Sequence, residues 1–384
     1  MNSIKLHGDK VFFGEGSIRV LRTLKGKKAF VVSGGNTIKK MGYLDRVFAE
    51  LKAAGFSIKC FDKVEPDPSI ETVKLGAEAM LDFAPDYIIA IGGGSPIDAA
   101  KAMWIFYECP ELDFANTLDL VDIPPLRNKA KFVAVPTTSG TASEVTKAMV
   151  IKDKKKKLKK GIRSEYAIPD LAILEPEFTA TMPPGLTAAT GMDAFTHALE
   201  AYVSTKANDF SDVLVKGALE GIFEFLPLAY KKPDNLKYRE KVLNFQNIAG
   251  MAFSNVGLGI VHSMAHQLGG IFKISHGLAN ALILPYIVQY NNKSDKAKKK
   301  YELLAKRLEV LDLASAIKNL NQELQIPTSI KELNISEKRF QKELDLMIAR
   351  ALVDGCTATN PRPVNEQEMS KLFESIYQGK EIDF

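Results

Sequence analysis

The feature that most constrains this chain is a change of pattern at Met182-Pro183-Pro184. Before it, short β-branched runs alternate with amphipathic stretches. Lys28–Ser33 (KAFVVS) and Ser57–Phe61 read as strands and Gly42–Ala54 and Ser69–Phe83 as helices, after which Tyr87–Ile91 (YIIAI) and Phe132–Val135 (FVAV) repeat the short buried-strand pattern. Strand, helix, strand in that order requires a mostly parallel sheet with helices on its faces, and such a sheet takes ligands at the carboxyl ends of its strands. After the two prolines, about two hundred residues follow the helical period, punctuated at Lys232–Asn235, Gly257–Gly259, Pro285, Pro327 and Asn360–Pro363. The 384 residues are therefore expected to divide into an α/β domain over 1–180 and an all-helical domain over 181–384, each long enough to bury its own core.

Charge and cysteine usage narrow the function. The balance of 51 basic and 46 acidic side chains, net +5, is too even for nucleic acid or a membrane surface to be the expected partner, and favours a small molecule. Cys60, Cys109 and Cys356 are odd in number and far apart, so a disulfide framework is not expected and a reducing, cytoplasmic compartment is the simpler reading. MNSIKLHGDK has no apolar core of the secretory kind, and no apolar run approaches the ~20 residues of a membrane span.

Two segments of the first half carry ligand-binding chemistry. Ile88–Met103 (IIAIGGGSPIDAAKAM) runs from a buried strand through three glycines into a helix expected to start at Pro96. Glycines let backbone N–H groups approach a phosphate, and a helix N-terminus favours an anion. A tight strand-to-helix turn has the same composition, so the motif alone leaves both readings open. Pro136–Thr146 (PTTSGTASEVT) also follows a strand and gathers Thr137, Thr138, Ser139, Thr141 and Ser143 around Gly140, as a phosphate or ribose contact or as a hydroxyl-capped helix start with Glu144 in its first turn. Lys152–Lys160 (KDKKKKLKK) reads as a hairpin turn facing water.

Histidine placement is the strongest signal. Four of the five histidines, His197, His262, His266 and His276, fall in the helical half; Asp193 and His197 stand four apart, as do His262 and His266, so each pair shares a helix face. A single histidine on an apolar face is usually a hydrogen-bonded core residue, an explanation that weakens for the set. A carboxylate and two or three imidazoles converging inside a helical bundle make a divalent transition-metal site, and the absence of a cysteine pair at structural-zinc spacing argues against a closed thiolate centre.

GGGSPIDAAKAM, PTTSGTASEVT, TGMDAFTHALEAY, GMAFSN followed by GIVHSMAHQLGG, and ISHGLANALILPY together resemble the iron-containing (group III) alcohol dehydrogenases, over nearly the whole chain. The resemblance implies an α/β dinucleotide-binding domain, a helical domain and an active-site cleft between them. It places the metal ligands on Asp193, His197, His262 and His276, and a histidine near nicotinamide and substrate on His266. The cofactor cradle falls on Gly93, Gly94, Ser95 and Asp98, with Thr137, Thr138 and Thr141 from the second loop; Lys160 matches a lysine that reaches the cofactor, and Cys356 a position close to the substrate pocket. Fe(II) is the implied metal, with zinc a competitor for so nitrogen-rich a site.

Cofactor preference is argued from charge. An acidic residue after an early strand bonds the ribose of NAD and repels a 2′-phosphate. Here the stretch reads VVSGGNTIKK, with Gly34 where NAD-dependent relatives carry aspartate; Gly34, Gly35 and Asn36 leave room for a phosphate that Lys39 or Lys40 would face, so NADP(H) is expected over NAD(H). The expected reaction is reversible hydride transfer between nicotinamide and a small aldehyde such as butyraldehyde, with the metal as Lewis acid and His266 as proton carrier. The same family admits 1,3-propanediol or lactaldehyde reduction. Dehydroquinate synthase shares the architecture as a lyase, but its phosphorylated substrate needs a basic pocket, whereas the segments around these histidines are Phe-, Met-, Leu- and Ile-rich. A non-catalytic metal- or nucleotide-binding role is opposed by the intact ligand set. A homodimer is the default assembly.

Overall fold

The computed structural model describes residues 3–113, 123–154 and 158–384, without the side chains of Asn36, Leu158 and Lys160. Two compact units result, Met1–Thr181 and Met182–Phe384.

In chain order the first unit holds β1 (Lys10–Phe13), β2 (Lys28–Gly34), α1 (Asn36–Lys40), α2 (Tyr43–Ala53), β3 (Ser57–Val64), α3 (Ile70–Phe83), β4 (Tyr87–Gly92), α4 (Gly94–Glu108), β5 (Lys131–Pro136), β6 (Ala148–Asp153), β7 (Leu158–Arg163) and β8 (Leu171–Leu174). Six strands form one parallel sheet in the order β1-β8-β5-β4-β2-β3, while β6 and β7 make a separate antiparallel hairpin. Strand alternation explains the continuous apolar runs. Phe30, Val32, Ile88, Ala90, Phe132 and Ala134 feed one core with Trp104, and Ala29, Val31, Ile89, Ile91, Val133 and Val135 feed the other with Val47 and Leu51. The four-residue strands β1 and β8 carry too few residues for a period to be read from sequence.

The chain leaves β2 for β3 on one side and returns to β4 on the other. The carboxyl ends of β2 and β4, at Gly34 and Gly92, thus meet at a topological switch point, where open α/β sheets hold their ligands. Helix α4 starts there at Gly94, two residues earlier than expected, because a proline in the first turn forgoes only an N–H that has no intrahelical partner.

After Pro136, the last residue of β5, Thr137–Thr146 is not a helix start but an irregular loop. Its shape is set by Lys101, fully buried in α4, whose Nζ donates to the carbonyls of Thr146 (2.7 Å) and Ala148 (3.1 Å). Lys101, with the carboxylates of Asp98 and Glu144 nearby, gives those carbonyls a partner other than the amides of a helical ladder. The lysine-rich hairpin is not simply solvated either: Lys154 pairs with Glu65 (3.3 Å) and Lys159 with Asp67 (2.5 Å), and Asp98 accepts the Val150 N–H (2.9 Å).

The second unit is helical: α5 (Pro184–Val203), α6 (Asp209–Lys231), α7 (Leu236–Val256), α8 (Ile260–Phe272), α9 (His276–Asn291), α10 (Asp295–Arg307), α11 (Leu313–Glu323), α12 (Glu337–Leu352) and α13 (Glu366–Gln378). Helix α5 is buried on nearly every side, and α9 from Ala279 onward, at the centre of the core. Pro285, expected to end a helix, lies inside α9. Proline cannot donate to the carbonyl four residues back, which is that of Ala281, and the Asn321 side-chain amide of α11 takes that carbonyl instead at 2.6 Å. No single helix among the described residues is long and apolar enough to cross a membrane.

Two substitutions test these supports. Lys101→Met leaves two carbonyls and the Asp98 carboxylate without their cation, and should cost about 3 kcal/mol in denaturant unfolding. Asn321→Leu abandons one buried carbonyl and should cost about 1–3 kcal/mol.

Candidate metal centre and cofactor loops

In the second unit three helices bring four donors together. Asp193 and His197 lie one turn apart on α5, His262 in the first turn of α8, and His276 is the first residue of α9. The approach of α9 to α5 depends on Gly277, where a Cβ would stand 2.2 Å from the Ala189 carbonyl oxygen. One donor atom from each of Asp193, His197, His262 and His276 lies within 4.8 Å of the others. Asp193 Oδ1 is 3.5 Å from His276 Nε2 and 3.9 Å from His262 Nε2, and its Oδ2 is 4.0 Å from His197 Nδ1. The His197 ring stacks on Phe253, with centroids 4.2 Å apart.

Residues that the sequence reading passed over fix this geometry. His262 Nδ1 donates to the buried Glu200 carboxylate at 2.5 Å, which leaves Nε2 facing Asp193, and the same carboxylate accepts the Val261 N–H at 2.7 Å. Burial pushes the Glu200 carboxyl up to about 8, against the backbone amides bonded to it, so below that pH the Glu200–His262 pair holds one further proton, which a metal on Nε2 would displace to leave Nδ1–H facing a carboxylate. Burial, and then the neighbouring His197, His276 and His266, hold His262 well below the usual histidine range, so its ring is neutral, the form that binds metal. Asn280, one turn after His276, donates Nδ2 to Asp193 Oδ1 at 2.6 Å and stands 3.1 and 3.2 Å from His262 Nε2 and His276 Nε2. Glu200 extends the Asp193–His197 face of α5, a spacing legible in hindsight.

His266 stands beside the set rather than in it. Its ring stacks on His276 at 5.4 Å and 13°, and Nδ1 donates to Asp354 Oδ2 at 2.8 Å. Burial alone would raise the Asp354 carboxyl, but the bond and charge from His266 and the amide and thiol of Cys356 hold it down at about 2. The donor set, nitrogen and carboxylate oxygen without thiolate, fits a divalent transition metal.

In the first unit the two loops pack on each other. A Cβ at Gly93 would stand 3.2 Å from Thr138 Oγ1, one at Gly94 would stand 2.9 Å from Thr141 Cγ2, and Thr137 N donates to the Gly92 carbonyl at 2.9 Å. The N-cap of α4 is Gly93, which brings no side chain to the first-turn amides and leaves them for an anion, so the loop fits a pyrophosphate. Ser95 Oγ accepts the Asp67 N–H at 3.2 Å, and Asp98 holds the hairpin through Val150. Burial pushes the Asp98 carboxyl up to about 6. At the end of β2, a Cβ on Gly34 would meet the Val64 carbonyl at 2.5 Å, Gly35 (φ +72°) borders open space, and Lys39 is exposed on α1. Lys160 pairs with Ile151 through the backbone; its side chain and that of Asn36 lie outside the described residues.

Family comparison agrees with both halves. Residues 8–176 match the model described as iron-containing alcohol dehydrogenase, and 187–377 the model of the Fe-containing alcohol dehydrogenase family, C-terminal. This chain belongs to the iron-containing alcohol dehydrogenase family. It is 49% identical over 383 residues to an NADPH-dependent butanol dehydrogenase of Clostridium saccharobutylicum, covering 97% of this chain and 98% of that one. Among solved structures it is similar to an iron-containing alcohol dehydrogenase from Thermococcus thioreducens (TM-score 0.91, 32% identity, covering 99% and 100% of the two chains). It is also similar to a 1,3-propanediol oxidoreductase (TM-score 0.88, 34% identity, covering 98% and 100%). The chain is thus an oxidoreductase, an alcohol dehydrogenase of a family that works with a metal and a nicotinamide cofactor.

For this dehydrogenase, Glu200→Gln should weaken divalent-metal affinity about 10- to 100-fold, measured by chelator competition. Asp354 contributes stability that is full above its unfolded value of 3.8 and is lost as pH falls toward about 2. That term, on the order of 2 kcal/mol, should disappear from acid unfolding curves of Asp354→Asn.

Proposed function

We propose that this alcohol dehydrogenase interconverts a small primary alcohol and its aldehyde, butanol and butyraldehyde being the reference pair, with NADPH preferred to NADH. The reading is carried by the gathered Asp193, His197, His262 and His276 donors and supported by the identity to the clostridial butanol dehydrogenase. These four residues would hold Fe(II), with Zn(II) competing for the same donors. When bound, the metal supplies Lewis-acid stabilisation of negative charge on the reacting oxygen.

The protein's own residues do the rest. Glu200 fixes the tautomer of His262, so that its Nε2 lone pair needs no reorganisation. Asp354 fixes the ring of His266 through Nδ1 and leaves Nε2 as the atom that takes or gives the proton, directly or through water. The amides of the Gly93–Ser95 turn, with Thr137, Thr138 and Thr141, receive the pyrophosphate, Asp98 braces the hairpin that bears Lys160, and the open space at Gly35, after Gly34 and before Asn36, receives the 2′-phosphate, with Lys39 as its cationic partner. The enzyme acts as a cytoplasmic homodimer in this reading. Reduction of 3-hydroxypropionaldehyde is the second reading, favoured by the likeness to 1,3-propanediol oxidoreductase.

Anaerobic protein stripped of metal should oxidise NADPH with butyraldehyde only after Fe(II) or Zn(II) is restored; turnover by neither nicotinamide with any short aldehyde would end the proposal. Lys39→Ala should lower kcat/KM for NADPH about tenfold and leave that for NADH unchanged, equal losses with both cofactors counting against a phosphate contact. His266→Ala should lower kcat about 100-fold and flatten the pH profile, whereas full activity with an unchanged profile would assign the proton to water.

A further inference from the structure

Next to the four-donor set lies a second gathering of ligand-type atoms. His266, Asp354 and Cys356 each bring one donor atom within 4.8 Å of the other two, and none of them belongs to the first set. They come from different places in the chain: His266 from the middle of α8, Asp354 and Cys356 from the turn that follows α12. Asp354 is the hub. It accepts His266 Nδ1–H at 2.8 Å, the Cys356 backbone N–H at 2.9 Å and the Cys356 thiol, with Ser263 Oγ at 3.5 Å from Oδ1. Thr357 Oγ1 in turn donates to Ser263 Oγ at 2.7 Å, which ties the turn to α8.

The arrangement is held at both ends. The backbone of the turn is fixed to the carboxylate it carries, and the imidazole is fixed by its stacking on His276. The Cys356 side chain is buried, and His266 is partly exposed, with 39% of its side chain accessible, so an ion has an entrance on one side and a soft donor on the other. Donor identity decides the class of ion. Imidazole, carboxylate and thiolate together are disfavoured by hard cations such as Mg(II) or Ca(II) and suit Zn(II) or Cd(II).

We propose that His266, Asp354 and Cys356 form a second metal site, for a soft divalent cation, beside the catalytic one. The cation displaces the thiol proton, which is released to solvent, and takes the Nδ1 lone pair as the imidazole proton moves to Nε2, while Asp354 enters as the carboxylate it already is; thiolate and carboxylate then neutralise the ion's two charges. Since a ring bound to the ion through Nδ1 and protonated at Nε2 can neither take a second proton nor readily lose the one it holds, occupation stops turnover. That last consequence rests on the role given to His266 above, whereas the site itself does not.

The two sites differ in one spectroscopic property, because only the second contains sulfur. Enzyme loaded with one equivalent of Zn(II) is titrated with Cd(II), and the thiolate-to-cadmium charge-transfer band is followed in the ultraviolet together with butyraldehyde reduction. The expected result is a band that saturates at one further equivalent, is absent from Cys356→Ser, and needs at least tenfold more Cd(II) in Asp354→Asn, with retained folding checked by thermal melting. No band in the wild-type protein, or a band that persists in Cys356→Ser, overturns the site. Activity lost in step with the band supports the consequence for His266; a band with undiminished turnover overturns that consequence alone, and absent turnover before any Cd(II) is added indicts the functional reading instead.

Discussion

Lone pairs repel, and a helical core that gathers a carboxylate and three imidazole nitrogens at one point must hold them from outside that point. In the second unit, besides the amide of Asn280 on Asp193, one buried hydrogen bond and one missing side chain do this. The Glu200–His262 bond commits Nδ1 and so aims Nε2. Gly277 lets α9 touch α5 closely enough to present His276 to Asp193. Neither residue is a donor to the centre, yet without them the four donors would be four ordinary core or rim side chains. The cost is visible in protonation: Glu200 is pushed up and His262 down, each by burial first.

The first unit solves a parallel problem with a different device. A sheet whose strand order reverses leaves a crevice at the ends of β2 and β4, and a loop that lines it must be irregular without being loose. Lys101 provides the firmness from below by holding the last carbonyl of the loop and the first of β6, and the threonines of the loop rest on glycines that have no Cβ to displace them. In both units, then, the groups that face the ligand are set in place by buried charged groups that do not.

How much of this the sequence disclosed depends on the range over which each signal acts. Asp193 with His197 repeats at one helical turn, the glycine run follows a recognisable strand, and the change of period at Met182 marks where the sheet ends; such signals are local and were legible. Asp354 is 88 residues from the histidine it orients, and no spacing rule connects them. Asn280 was hidden for the opposite reason, being one more polar residue in a run already explained by His276. Pro285 misled because proline usually ends a helix, and only a side chain of another helix, Asn321, removes the penalty. The hydroxyl loop left two readings open for a similar reason: its residues suit a helix cap as well as a ligand contact, and Lys101, far away in the chain, claims carbonyls that border it.

The clamp between Asn321 and the Ala281 carbonyl has a consequence for ion size. A helix can adapt to a larger or smaller ion by sliding along its axis, but α9 is pinned twice, by the amide on Ala281 and by the contact of Gly277 with the Ala189 carbonyl. Those pins lie about one turn apart, so translation by a single residue would lose both together. The amide holds α9 to α11 and the Gly277 contact holds it to α5, so the backbone of His276 has less freedom to follow a change of ion radius than the torsions of its side chain have.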